Sequence, residues 1–160
     1  MYPKIVSKQS ITKLIISLVL LFTALPSYAD EGPTYVDRKG FAIKGYDTVA
    51  YFTENKAIKG DKKFKHQWNE ATWLFASAEN LSTFKANPEK YAPQYGGYCA
   101  YAIANDSYAG IDPKVFTIRN DKLYLNYNNR VLKRWSKKPK KFISQADKFW
   151  PELLKAQKDN

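Results

Sequence analysis

Two pairs of short strand-like segments, each joined by a two-residue turn, constrain this chain most. In the first, Phe64, His66 and Trp68 fall on one face and Lys65 and Gln67 on the other, followed by Asn69-Glu70 and then Thr72-Trp73-Leu74-Phe75. In the second, Val115–Arg119 and Lys122–Tyr127 flank Asn120-Asp121. Alternation before a two-residue turn predicts a β-hairpin in the first case, and β-branched and aromatic segments around two residues tolerant of positive φ predict one in the second. Between and after them the pattern turns helical. Ser77 is placed to cap a helix through Ala86 that carries Leu81 and Phe84 on one face, and Asn87-Pro88 stops it. Asn128 or Asn129 opens a helix with Val131, Leu132 and Trp135, and a last one starts near Pro139 and is restarted or kinked at Pro151.

The expected fold is α+β: a small antiparallel sheet of two hairpins, packed by the Ser77–Ala86 helix and the C-terminal helices. Residues 45–155 read as one domain, preceded by a loosely packed arm over 30–44. Gly45-Tyr46-Asp47 reads as a turn and Val49–Phe52 as a short buried strand, while Tyr98–Ala104 fits a strand or a short helix equally well.

Residues 1–29 have the layout of a removable secretory signal. Lys4, Lys8 and Lys13 precede the uncharged, mostly apolar run Leu14–Leu25, Pro26 breaks it, and Ser27 and Ala29 put small side chains before a cut after Ala29. The run is shorter than the ~20 residues of a spanning helix, and no transmembrane segment is expected once it is removed. A periplasmic or secreted location follows. Of 26 Lys and Arg, 23 lie beyond residue 29 and face 15 Asp and Glu, a net charge of +8. Export takes nucleic acid out of reach, so anionic envelope surfaces are the natural partners for such charge. Cys99 is the only cysteine, so no internal disulfide can form, and nine Phe, 12 Tyr and four Trp must hold the fold by burial.

Gly45-Tyr46-Asp47-Thr48-Val49-Ala50-Tyr51-Phe52, then Trp73-Leu74-Phe75-Ala76-Ser77 with Asn80, Phe84, Pro88 and Tyr91, resembles the YHS family over about residues 45–92. The continuation Tyr95-Gly96-Gly97-Tyr98-Cys99-Ala100 and the segment Lys122–Tyr127 are similar to exported YHS-domain proteins. The resemblance implies metal binding, by copper or another soft ion. At the positions where it implies cysteines, this chain has Ala50, Ala76 and Asn80, and neither a methyl group nor a neutral amide suits a soft ion.

Other residues offer chemistry. Cys99 follows two glycines that would let a ligand approach the backbone. At a helix start its thiol would be acidified, ready to bind Cu(I) or attack an electrophile, and in a core it would act as a small apolar side chain. His66, the single histidine, would complete a two-coordinate soft-metal site with Cys99 but not a four-ligand zinc site. Cysteine-dependent catalysis would need the same two groups and an orienting third, for which no local signature exists. Tyr95, Tyr98 and Tyr101, with Tyr91 and Tyr108, would line a small-molecule pocket or pack the core. Asp47 and Asp112 read as turn residues. Arg130, Lys133, Arg134, Lys137, Lys138, Lys140 and Lys141 form a basic run without an acid, suited to an anionic surface or to solubility. The leading expectation is a non-enzymatic exported binding protein holding a soft metal ion or small ligand near Cys99. The alternatives are an envelope module using the basic run, or a thiol-dependent enzyme.

Overall fold

The structure, a computed structural model, describes residues 32–159. The signal segment and its cut after Ala29 lie outside the described residues, as does the very start of the arm. The chain runs α1 (Ala50–Thr53), β1 (Asp61–Trp68), β2 (Ala71–Phe75), α2 (Ala78–Ala86), α3 (Pro88–Tyr91), α4 (Ala100–Ile103), β3 (Asp112–Arg119), β4 (Lys122–Asn126), α5 (Asn129–Trp135) and α6 (Pro139–Lys158), with single 3₁₀ turns at Ile43–Gly45 and Gln94–Gly97. The fold is α+β.

Both hairpins form in the expected register. His66 pairs with Trp73 and Trp68 with Ala71, while Thr117 pairs with Tyr124 and Ile118 with Leu123. Their turn residues are left-handed, with φ of 48° and 61° at Asn69 and Glu70 and 50° and 55° at Asn120 and Asp121. That geometry matches the natural twist of the strands it joins. Each hairpin is a two-stranded sheet of its own. Burial between them supplies what ladder hydrogen bonds do not.

The caps follow side-chain chemistry. Ser77 accepts from Asn80 N–H and Asn128 from Val131 N–H, each satisfying a donor in the first turn that the helix cannot. Two expectations need correction, and one open alternative is settled. Residues 49–52 are not a strand: α1 occupies them, because the Asp47 carboxylate gathers the Val49 and Ala50 N–H groups into a turn. A four-residue apolar run carries no periodicity to oppose that. The ambiguous Tyr98–Ala104 stretch contains α4, with Cys99 immediately before it. The arm is not loose. Tyr35 N–H donates to Gly96 C=O, Phe41 bridges to Thr72, and Ala42 and Ile43 are fully buried.

Two apolar clusters organise the core. The first centres on Phe84, whose ring lies 5.3 Å from Trp73, 5.0 Å from Phe75 and 5.6 Å from Trp68, and extends through Tyr51, Leu123 and Leu125. The second joins Tyr95, Tyr98, Tyr124 and Trp135 under α5 and α6. No helix among the described residues is long and apolar enough to cross a membrane.

Candidate functional site

The three positions where thiols were implied converge on one carboxylate. Asp47 is fully buried. Its Oδ1 accepts from Val49 N–H at 2.8 Å and Ala50 N–H at 3.3 Å, and its Oδ2 from Ala76 N–H at 2.8 Å and Asn80 Nδ2 at 2.7 Å. Asp47 is therefore more than a turn residue: it ties the start of α1 to the end of β2 and the first turn of α2. The donor set here is two methyl groups and an amide already committed to a carboxylate. It does not fit a soft metal ion.

Cys99 and His66 do not assemble into a second such site. Cys99 is 1% exposed, in the first cluster, and its Sγ donates to Asn126 Oδ1 at 3.7 Å. His66 sits half-buried on β1, with its ring edge toward Phe84, beside a hollow bordered by Lys62 and Lys65. No hydrogen bond joins the two. Two ammonium groups beside the imidazole would oppose a metal cation. Among the described residues, no group of three or more His, Cys, Asp and Glu is placed to hold a metal.

The glycine pair is also occupied by the protein itself. A Cβ on Gly96 would stand 2.1 Å from Pro33 O, and one on Gly97 2.7 Å from Ile43 Cγ2. Both residues have positive φ, at 60° and 85°, so glycine serves here both for conformation and for the close passage of the arm, not of a ligand.

The tyrosines separate. Tyr98 is buried, donates to Gly32 C=O, and packs edge-on against Tyr35 and Tyr108. Tyr101 packs on Phe142. Tyr95, held at a left-handed φ of 56°, donates from its hydroxyl to Asp147 Oδ1 at 2.8 Å. Burial first, and then this hydrogen bond and the Asp147 charge, push its phenol far above the ordinary range, so it remains a neutral donor. Asp112 accepts from Lys114 N–H in a local turn, as expected.

Tyr95 leads to a cleft of about 510 Å³ at the junction of the two clusters. One wall is Trp68 and Trp73 from the first hairpin, with ring centres 5.8 Å apart and planes at 61°. The other is Tyr95 and Trp150, 6.3 Å apart at 69°. Glu70 from the hairpin turn, Glu89 from α3 and Asp147 from α6 complete the lining, together with Pro33 and Thr34 of the arm. Sequence reasoning singled out only Tyr95 of this set. Trp73, 1% exposed, is core as expected; Trp68 and Trp150 also read as core, and nothing local marks a ring that faces a cleft rather than a neighbour.

All seven cations of the basic run are exposed, on α5, the following loop and the first turn of α6. Lys138, Lys140 and Lys141 are joined by Arg119 around a shallow hollow.

No curated protein and no solved structure shows significant similarity to this chain. Among protein families, the YHS domain matches residues 49–95, from the start of α1 through both strands of the first hairpin to Tyr95. Over that segment the chain is similar to the YHS domain family.

Proposed function

We propose that the protein is an exported, non-enzymatic binding protein that holds a small ligand in the cleft between the YHS hairpin and α6. The cleft carries this reading. Its volume lies within the ~300–1,000 Å³ of small-molecule sites, and it sets polar and charged side chains beside aromatic ones. The one thiol and the one imidazole lie elsewhere, which favours binding over thiol chemistry. Export rests on the layout of residues 1–29 and places the protein in the periplasm or outside the cell.

The soft-metal reading is tested by the same experiment. Native mass spectrometry and elemental analysis of the protein recovered from its own compartment are expected to show a chain starting at Asp30. They should also show a small organic molecule released on denaturation, and less than a tenth of an equivalent of copper or zinc. The molecule should be lost in Trp150→Ala. A full equivalent of copper that disappears in Cys99→Ala would instead establish the metal reading.

A second reading is favoured by the complete exposure of the basic run: docking to an anionic envelope surface. Co-sedimentation with anionic vesicles should weaken as salt rises from about 0.05 to about 0.5 M and the screening length falls from ~14 to ~4 Å. It should drop severalfold on replacing Lys137, Lys138, Lys140 and Lys141 with Gln. Association unchanged by those four substitutions would dispose of this reading.

A further inference from the structure

Resting on the cleft as the ligand site, we infer that it selects a cation: an organic ammonium group carried on a hydrocarbon body. The chain as a whole is strongly basic, with 26 Lys and Arg against 15 Asp and Glu. The cleft inverts that balance. Glu70, Glu89 and Asp147 line it, and among the described residues no lysine or arginine does. The three carboxylates come from a hairpin turn, a short helix and the long C-terminal helix, so no local sequence bias gathers them.

What they face decides the chemistry. A bare acidic rim would suit a hydrated metal ion, but here the walls are aromatic. Trp68 and Trp150 are half-buried, one on each wall, and each has an aromatic partner set edgewise behind it. The face of an indole ring carries negative charge density, which attracts a poorly hydrated cation such as an alkylated ammonium group. Carboxylates supply the long-range attraction, and the rings supply contact for the alkyl groups. An anion would meet three negative charges, and a neutral hydrocarbon would gain only the walls.

Asp147 has a further part. Its Oδ1 takes the Tyr95 hydroxyl, which fixes the carboxylate against that wall and leaves Oδ2 for a ligand. Glu70 and Glu89 are exposed and engaged by no described hydrogen bond, so they can orient toward an incoming charge.

The test compares choline with its uncharged carbon isostere, 3,3-dimethylbutan-1-ol, by following the indole N–H signals of Trp68 and Trp150 in the full-length protein. Choline should bind at least tenfold more tightly, and added salt should narrow the gap. The double substitution Glu70→Gln with Glu89→Gln touches only exposed side chains and should reduce the preference severalfold with the spectrum otherwise intact. Equal affinity for the two probes would overturn the charge selectivity while leaving the cleft a ligand site. Signals unmoved by either probe, in a folded protein, would remove the cleft as a site and this inference with it.

Discussion

Asp47→Ala is expected to lower the free energy of unfolding by about 3–5 kcal/mol, bringing the domain to the edge of folding. The reason is geometric. One fully buried carboxylate accepts from three backbone N–H groups and the Asn80 amide, and these come from three separate segments. Removing it leaves donors inside the protein with no water to replace the acceptor, and each orphan costs about 1–3 kcal/mol. Urea denaturation would show this as a lower midpoint at an unchanged slope.

Asn80→Ala removes one donor and leaves the others, so about 1–2 kcal/mol is expected there. The two losses should not add, because in Asp47→Ala the amide has already lost its partner. A midpoint for Asp47→Ala within about 1 kcal/mol of the parent would show that the knot does not hold these segments together. The result bears on function as well as folding. Destabilisation of the expected size would mean that the chain does with a carboxylate and an amide, around Ala50, Ala76 and Asn80, what the YHS resemblance would assign to thiols.

The parts of this fold that could be read in advance are those where local chemistry and global structure agree. Asn69, Asn120 and Asp121 tolerate the backbone their turns require, and the two-residue turns leave one register that keeps Trp73 and Leu123 inside. Ser77 and Asn128 announce helix starts because their side chains can take up a free N–H. Val49–Phe52 misled because the deciding partner is a side chain two residues upstream, not the apolar run itself. Gly96-Gly97 looked like an opening for a ligand. The need for bare backbone was real, but the visitor is the chain's own arm at Pro33 and Ile43. The cleft lay furthest from view. Trp68, Glu89 and Trp150 meet only after two hairpins and two helices have packed, and each has an ordinary local explanation.

The Cys99 thiol is expected to react with iodoacetamide at least about a thousandfold more slowly in the native protein than in urea. Cys99 sits just before α4, but that helix is a single turn and the sulfur is enclosed. Leu125 bridges to the Cys99 backbone, and Asn126, itself fully buried, takes the thiol hydrogen. Reagent can reach the sulfur only when this part of the core opens. An opening free energy of about 4 kcal/mol already gives a thousandfold protection, since each 1.4 kcal/mol is a factor of ten.

Cys99→Ala should then act as a core substitution. Its cost, about 1–3 kcal/mol, comes mainly from Asn126, whose Nδ2 already lacks a partner among the described residues and whose Oδ1 would lose its own. Alkylation of a folded protein at close to the unfolded rate would reverse this picture. The thiol would then be open in solution, and soft-metal or nucleophilic chemistry at Cys99 would displace the cleft as the functional centre. Strong protection, with ligand binding intact in Cys99→Ala, would leave the sulfur as packing and the work to the four rings and three carboxylates.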